Sequence, residues 1–272
     1  MTPAALRNGE PADAIAVTDR GLHYGDGVFR TLRVSGGRVI AWDAQMARLD
    51  ADCRQLGLPV PPPATLADET ARLFADGGDG TLKIVVTRGS GGRGYTPPGT
   101  VEPTRLLLRY PPPAHPASHA EEGIEAGYCT TPLAVSPALA GAKHLNRLEH
   151  VLARAECRDN GWPEGLMRTP DGRVVCGTMS NLFAVLAGEL VTPAIEDAGV
   201  RGATRTRILD ACAAAGRPCR EAVLRAADLE DAEELFVCNS AMEIWPVRAL
   251  AGRRYAGDEA ARWCRRRLED SA

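Results

Sequence analysis

The chain contains almost no lysine: of its 32 basic residues, 2 are lysines and 30 are arginines. Arginine stays protonated, whereas a desolvated lysine amine can lose its proton and attack a carbonyl carbon. A lysine that persists in this composition is therefore a candidate for chemistry that a guanidinium cannot perform. The two candidates are Lys143 and Lys83, and an ordinary surface or strand lysine remains the alternative for each.

Several other features are missing, and each absence narrows the class of protein. The eight cysteines form no C-x-x-C pair, and no histidine and cysteine cluster has zinc-ligand spacing, so we expect reduced thiols and no metal. The net charge is only −3, and the basic runs have no interleaved aromatics, which argues against a nucleic-acid partner. No leader pattern and no bilayer-length apolar run is present. We expect a soluble cytoplasmic protein without a membrane partner.

The surroundings of the two lysines differ. Lys83 lies in the β-branched run from Thr81 to Thr87, which is typical of a buried strand and offers the amine no obvious partner set. Lys143 lies in the polar run Gly141-Ala142-Lys143-His144-Leu145-Asn146-Arg147. Lys143 is therefore the stronger candidate.

A proline-rich stretch from Tyr110 to Pro116 divides the chain, because it can neither continue a helix nor occupy a central strand. We expect a smaller α/β domain over residues 1–110, a linker over 111–120 and a second domain over 121–272. Short strands and helices in mixed order favour the α+β class over a doubly wound sheet.

Local patterns predict the individual elements. Asn8-Gly9 is a type I′ hairpin signal followed by further apolar residues at 14–17, and residues 19–27 read as a glycine-punctuated loop. Hydrophobic spacing predicts helices over 43–56, 65–75, 145–159 and 203–215, and strands over 28–34, 81–88, 104–109, 124–131 and 234–238, with a strand and hairpin over 173–192.

Three junctions in the second half carry small polar residues. Gly202 and Thr204 open a predicted helix whose N-terminal N–H groups would favour a phosphate. The run Cys238-Asn239-Ser240 follows a predicted strand, and Gly177 to Ser180 precedes another. Ordinary caps and turns explain each junction when it is taken alone.

Taken together and in order, these segments carry a resemblance. The chain resembles the fold-type-IV pyridoxal-phosphate family, which contains aminodeoxychorismate lyases and branched-chain and D-amino-acid aminotransferases. The segments that carry the resemblance are Asp19-Arg20-Gly21 with Gly25-Asp26-Gly27, Met46-Ala47-Arg48-Leu49, the Lys143 run, Ser180-Asn181-Leu182-Phe183, Gly202-Ala203-Thr204-Arg205 and Cys238-Asn239-Ser240.

The resemblance implies a two-domain α+β fold with pyridoxal 5′-phosphate in the cleft between the domains, and a homodimer. Lys143 would bind the cofactor aldehyde covalently and would later move protons. The resemblance assigns the cofactor phosphate to Arg48, Ala203, Thr204, Asn239 and Ser240, with Arg48 as its counter-ion.

Two segments resemble the lyase branch of this family: Arg88 to Tyr95, and Lys143 to Glu149. The lyases convert 4-amino-4-deoxychorismate to 4-aminobenzoate and pyruvate in folate biosynthesis. A glycine-rich loop that presents Arg93 and Tyr95 suits a substrate with two carboxylates. We expect substrate contacts from Tyr24, Arg93, Tyr95 and His144, and the sequence leaves open whether His23, Arg30 and Arg33 also reach the substrate.

One position departs from the family pattern. Most members have a glutamate five residues before the asparagine of the Ser-Asn-Leu-Phe motif, where it contacts the pyridine nitrogen, whereas this chain has Cys176. A thiol is a weak donor, so we expect Cys176 to favour elimination over transamination, unless it is simply a small buried residue. Two alternatives stay open: an aminotransferase of the same fold, and a relative that binds but does not catalyse.

Overall fold

The computed structural model describes residues 5–100 and 102–270, with two compact units. The first unit contains the chain up to Pro113 together with Ala142–Asn146, and the second contains Ala114–Gly141 and the chain from Arg147 onward. Residues 1–4, in which a leader sequence would begin, lie outside the described part. Both units combine helices with a sheet, as expected for the α+β class.

The first unit is built on an antiparallel sheet with the strand order β2-β1-β6-β5-β3-β4. Its described strands are β1 (Ala5–Arg7), β2 (Glu10–Pro11), β3 (Gly27–Ser35), β4 (Arg38–Val39), β5 (Gly80–Thr87) and β6 (Thr104–Tyr110), and its helices are α1 (Arg20–Tyr24), α2 (Trp42–Gln55) and α3 (Pro63–Leu73).

The start of the chain follows its local signals only in part. Asn8 and Gly9 both have positive φ, 48° and 89°, and the predicted hairpin joins β1 to β2. Residues 14–17 form no strand, and the expected loop over 19–27 is wrong for its centre, because α1 is helical. Asp19 caps α1 by accepting from the N–H of Gly21, and Gly25 ends it with a φ of 62°.

Helix α2 packs on the sheet of the first unit through the stripe that its spacing predicts. Met46, Leu49 and Cys53 are buried in one apolar cluster with strand residues such as Leu32 and Ile84. Burial raises the pKa of the Cys53 thiol to about 12, so this thiol is a core group rather than a nucleophile. The neighbouring face of α2 carries charged residues, and these belong to the site described below.

The second unit is built on a mixed sheet with the order β12-β11-β10-β14-β15-β7-β8-β9-β13, and β16 pairs with β15. Its described strands are β7 (Ile124–Tyr128), β8 (Glu164–Arg168), β9 (Arg173–Gly177), β10 (Asn181–Leu186), β11 (Glu189–Pro193), β12 (Cys219–Ala222), β13 (Leu224–Arg225), β14 (Glu234–Asn239), β15 (Glu243–Leu250) and β16 (Arg253–Arg254). Its helices are α4 (Ser118–Glu121), α5 (Leu148–Asn160), α6 (Ala203–Ala214), α7 (Ala226–Glu230) and α8 (Glu259–Asp270).

The structure differs from the sequence-based expectations at several places in this half of the chain. Strands β8 and β15 were not predicted, and the stretch expected as a linker contains α4, whose His119 ring packs against Trp245 at 4.7 Å. Helix α5 begins at Leu148 rather than at 145, and the segment Ala142–Asn146 groups with the first unit instead of the C-terminal domain. The reason is pairing: Phe29 N–H donates to the Lys143 carbonyl at 2.9 Å, and Leu145 N–H donates to Gly27 at 3.0 Å.

Candidate functional site

Lys143 is held in the first unit by its own main chain. Its carbonyl oxygen is bonded to β3 through Phe29, and its N–H donates to the carboxylate of Asp52 on α2 at 3.2 Å. Its amine lies over the ring of Phe29, 4.5 Å from the centroid. Segments that are distant in sequence therefore fix the backbone of this lysine on two sides.

Asp52 is the centre of a buried charged cluster. Its side chain has no exposed surface, and besides Lys143 it binds Arg30 through Nη2 and Arg48 through Nη2, the latter at 3.2 Å. Arg30 is almost fully buried too, and its Nη2 also donates to the Arg48 carbonyl at 3.2 Å. Burial lowers the pKa of Arg30, and the charge of Asp52 opposes that shift. Asp52 was not among the residues predicted for the site, although its i, i+4 spacing from Arg48 on α2 was a usable signal.

Arg48 keeps donor capacity that this cluster does not use. Its Nε is buried and has no hydrogen-bond partner among the described residues, and its side chain is 18% exposed. A buried guanidinium N–H without a partner is costly unless a ligand satisfies it. Arg48 is therefore suited to bind an anion.

The second lysine, Lys83, has a neighbour in common with Lys143. Lys83 on β5 places its amine 5.2 Å from the centroid of Phe29, the ring that Lys143 also contacts. This contact arises because strand pairing brings β5 beside β3. Both amines of the chain thus contact one ring.

The glycine-rich loop of the first unit presents two of the predicted substrate residues. The Arg93 side chain is exposed and makes no hydrogen bond or ion pair within the described part of the chain, and the Tyr95 side chain is 85% exposed. The ring of Tyr24 packs edge-on against Tyr95 at 5.5 Å, and its hydroxyl accepts from Gly94 N–H at 3.1 Å. Arg88 turns inward instead, where it binds Asp26 and the carbonyls of Leu56 and Gly57.

The histidines and Arg33 occupy different environments. His144 is buried and pairs with Val28 in an isolated antiparallel bridge. His23 is exposed, and its Nε2 lies 2.6 Å from the Val17 carbonyl. Arg33 is partly buried on β3.

In the second unit, α6 begins as the sequence predicts. Gly202 is its N-cap and supplies no side-chain acceptor, so the first-turn N–H groups from Ala203 onward lack a side-chain cap. The Thr204 hydroxyl lies 3.4 Å from the Ser240 hydroxyl, which brings together two motifs that are far apart in sequence. Asn181 holds Gly202 in place by accepting from its N–H at 3.2 Å and donating to Val200 at 2.8 Å. Two hydroxyls and an uncapped helix N-terminus form a neutral anion-binding arrangement.

The side chain of Asn239 is already engaged. Its amide nitrogen donates to the Met179 carbonyl at 3.0 Å, and its oxygen accepts from the N–H groups of Ala241 and Met242, both at 2.8 Å. Asn239 therefore shapes the loop that carries Ser240. The bond to Met179 uses one of the two amide hydrogens of Asn239.

A buried carboxylate that the sequence analysis missed organises the turn before β10. Glu164 on β8 has no exposed surface and accepts from Gly165 N–H at 2.9 Å, Thr178 N–H at 3.0 Å and Ser180 Oγ at 2.7 Å, with further bonds from Thr178 Oγ1 and Met179 N–H. A glutamate in an unpredicted strand gave no signal in the sequence. Glu164 fixes the residues between Cys176 and the Ser-Asn-Leu-Phe motif.

Cys176 lies near the end of β9 and is 3% exposed. It belongs to an apolar cluster with Leu133, Met167 and Ala198.

Among the described residues, no group of three or more His, Cys, Asp or Glu side chains is arranged to hold a metal ion. None of the described helices has the length and apolar character that a membrane span requires.

The fold and the lysine-bearing segment define a class. Residues 27–250 match the class IV aminotransferase family, and the chain belongs to that family. The predicted fold type is confirmed. The branched-chain-amino-acid aminotransferase of Escherichia coli and the D-alanine aminotransferase of Listeria innocua also match 88% of the chain, at 29% and 27% identity and over 80% and 83% of their own sequences.

Lyases are among the most similar relatives. The chain is 34% identical over 244 residues to the aminodeoxychorismate lyase of Vibrio harveyi, covering 90% of each sequence. The crystal structure of 4-amino-4-deoxychorismate lyase from Pseudomonas aeruginosa superposes with a TM-score of 0.92 at 44% identity, covering 98% of both chains. A hypothetical aminotransferase from Mycobacterium tuberculosis, solved in a PLP-bound form, shares the fold with a TM-score of 0.84 at 24% identity, covering 98% of both chains.

Proposed function

We propose that this chain is a cytoplasmic aminodeoxychorismate lyase that uses pyridoxal phosphate to convert 4-amino-4-deoxychorismate to 4-aminobenzoate and pyruvate, a step toward folate. The observation that carries the proposal is the shared carboxylate of Asp52. It bonds the main chain of Lys143 and the guanidinium of Arg48 at once, and so ties the candidate amine to the candidate phosphate ligand. The similarity to two named lyases over nine-tenths or more of the chain supports the same reaction.

The residues present suit pyridoxal phosphate. The unsatisfied Nε of Arg48 and the uncapped N-terminus of α6 both favour an anion, and the Thr204 and Ser240 hydroxyls add neutral donors. Lys143, Arg48, Ala203, Thr204, Asn239 and Ser240 would hold the cofactor. When bound, pyridoxal phosphate supplies an aldehyde that captures amines and a ring that withdraws electrons.

In this proposal Lys143 moves the proton of the reaction. Its amine takes the proton from the ring carbon that bears the substrate nitrogen, and delivers a proton to the departing enolpyruvyl group, so the lysine acts as general base and general acid. The exposed Arg93 guanidinium binds a substrate carboxylate, and Tyr95 lies beside it on the same loop. Tyr24 and His144 are further candidates for substrate contacts.

Cys176 is proposed to bias the enzyme toward elimination. A carboxylate at this position would hold a proton on the pyridine nitrogen, whereas a thiol buried among apolar side chains offers no matching charge. Loss of pyruvate creates an aromatic ring. Because of this gain, it depends less on a protonated pyridine nitrogen than amino-group transfer does. Cys176→Glu should therefore raise amino transfer to 2-oxoglutarate relative to pyruvate release. Substantial transamination by the unmodified enzyme would remove the argument.

We also propose a homodimer, supported by one face of α5. This helix buries only Ala153 and Cys157, while Leu148, Val151 and Leu152 at helical spacing are 78%, 61% and 59% exposed. An apolar patch of this kind is typical of a protein interface. Size-exclusion chromatography with light scattering should find a dimer, and Leu152→Glu should shift it toward monomer. A monomeric wild-type protein would contradict the proposal.

The decisive assay for function compares two reactions. The enzyme loaded with pyridoxal phosphate is supplied with aminodeoxychorismate, and pyruvate and the fluorescence of 4-aminobenzoate are followed. In parallel it is supplied with 2-oxoglutarate and branched-chain or D-amino acids. Pyruvate release without amino transfer supports the lyase, and the opposite result supports an aminotransferase. If the protein takes up no pyridoxal phosphate, both enzymatic functions fail.

A further inference from the structure

Arg20, in the segment Asp19-Arg20-Gly21, has a buried guanidinium although it lies next to an exposed loop. Its side chain is 4% exposed, and its Nε donates to Asp26 Oδ2 at 2.8 Å. The other two nitrogens donate to successive main-chain carbonyls, Nη1 to Gly94 at 3.0 Å and Nη2 to Tyr95 at 2.9 Å. A planar fork of donors is suited to hold two neighbouring carbonyls in one orientation.

The glycine-rich loop packs along the side chain of Arg20. Arg20 N–H donates to the Gly89 carbonyl at 2.9 Å, and a Cβ added at Gly91 would lie 2.8 Å from Arg20 Cδ, so the loop runs directly over the arginine stem. The guanidinium lies 4.8 Å from the ring centroid of Tyr24, whose hydroxyl accepts from Gly94 N–H. The main chain immediately after Arg93 is therefore bonded on both its N–H and its carbonyl side.

Asp26 completes the anchor. One oxygen, Oδ2, accepts from both Arg20 and Arg88 at 2.8 Å, and Arg88 in turn bonds the carbonyls of Leu56 and Gly57. The two ends of the glycine-rich loop are thus tied to the same carboxylate. The exposed side chains of Arg93 and Tyr95 then belong to a loop whose backbone is fixed.

We propose that Arg20 is a positioning residue for substrate recognition: by holding the carbonyls of Gly94 and Tyr95, it sets the direction in which Arg93 meets a substrate carboxylate. This inference rests on the proposed function of Arg93. Arg20 itself does not touch substrate. Its loss should weaken substrate binding while the proton-transfer step and cofactor binding persist, because Lys143 and Arg48 have other supports.

The test uses Arg20→Lys, which keeps a positive charge but loses the fork. In the enzyme loaded with pyridoxal phosphate, the KM for aminodeoxychorismate should rise about tenfold while kcat changes by less than about threefold. The affinity for pyridoxal phosphate should stay at the wild-type value. Arg93→Ala should raise KM at least as far, because it removes the group that Arg20 positions.

A second readout does not depend on activity. Trypsin can cleave the Arg93–Gly94 bond only when the loop leaves its anchor, so Arg20→Lys should speed cleavage there by about tenfold, as identified by fragment mass. Arg109→Lys is the matched control, since Arg109 also stacks on an aromatic ring, Phe74 at 4.6 Å, and bonds a carbonyl and a carboxylate in the same unit. It should leave both readouts unchanged.

The outcomes separate the two proposals. Wild-type cleavage and wild-type KM in a folded Arg20→Lys variant overturn the role of Arg20. If that variant does not fold, Tyr24→Phe decides, because it removes only the hydroxyl that accepts from Gly94, and faster cleavage supports the anchor while unchanged cleavage rejects it. A wild-type enzyme that releases no pyruvate refutes the proposed function, and the trypsin result still decides whether Arg20 anchors the loop.

Discussion

The two units carry different kinds of polar groups that suit an anion. In the first unit, the main chain of Lys143 bonds Asp52, whose buried carboxylate also pairs with the guanidinium groups of Arg30 and Arg48. In the second unit, the groups around Thr204 and Ser240 are hydroxyls and main-chain N–H groups at a helix N-terminus. The first arrangement is strong but needs a buried counter-charge, whereas the second is weaker and needs only local backbone geometry.

The largest effect on activity is expected from loss of the Lys143 amine. Lys143→Ala should lower kcat for pyruvate release by at least about a thousandfold, because no other described group is proposed to carry the proton. The coupled pyruvate assay measures this, and borohydride reduction with peptide mapping should find the cofactor on Lys143 in the wild type. Lys83→Arg is the control, since it keeps a cation near Phe29 and should retain activity. Undiminished turnover in Lys143→Ala would refute the assignment.

Removing the charge of the buried carboxylate in the first unit, Asp52, should destabilise the protein more than removing that of Glu164 in the second unit. Asp52→Asn leaves Arg30 and Arg48 buried without their anion and should lower the free energy of unfolding by about 3 kcal/mol. Glu164→Gln is the comparison in the second unit and should cost about 2 kcal/mol, because most of the bonds to Glu164 come from N–H and hydroxyl donors. Urea denaturation measures both, and a smaller loss for Asp52→Asn than for Glu164→Gln would break the contrast.

The affinity for pyridoxal phosphate provides a direct comparison of the charged Arg48 with the neutral hydroxyl of Thr204. Arg48→Gln should raise the dissociation constant of pyridoxal phosphate about a hundredfold, and Thr204→Val about fivefold, because only the first removes a charge-assisted bond. Pyridoxal without its phosphate is the matched ligand, and its affinity should change little in either variant. Titration by absorbance checks this. An equal loss of pyridoxal phosphate affinity in the two variants would show that Arg48 and Thr204 contribute alike to binding.

The smallest effect is a pH dependence of stability that arises at Asp26 in the first unit. Burial tends to raise the pKa of Asp26, but hydrogen bonds from Arg88 and Arg20 outweigh it and bring the pKa below the ordinary 3.8. A lowered folded-state pKa contributes stability above the ordinary value, and this contribution is lost as the pH falls through the folded-state pKa. Asp26→Asn should therefore cost about 1 kcal/mol at neutral pH and little in acid, as measured by urea denaturation.

Asp50→Asn is the control for that experiment. Asp50 pairs with Arg54 on the surface of α2, which lowers the pKa of Asp50, yet solvent screens the pair. No measurable pH-dependent difference is expected for it. If Asp26→Asn loses as much unfolding free energy in acid as at neutral pH, the proposed link between stability and the pKa of Asp26 is contradicted.

Local signals predicted what depends on neighbouring residues in the chain. The Asn8-Gly9 turn, the stripe of α2 and the start of α6 at Gly202 all follow from backbone rules within a few residues. The family and fold type followed from ordered motifs. The boundary of α5 and the unit that contains Lys143 could not be predicted, because pairing with β3 acts across more than a hundred residues.

The sequence by itself determined the chemistry that is available: one lysine in a polar motif, arginine and hydroxyl residues for a phosphate, and a thiol where the family usually has a carboxylate. Only the tertiary structure decided how those groups are supported, by placing Asp52 beneath Lys143 and Arg48, Glu164 beneath the turn before β10, and Arg20 inside its loop. The reason is physical. A buried charge is tolerated only where partners from distant segments converge on it, and that convergence is a property of the folded chain.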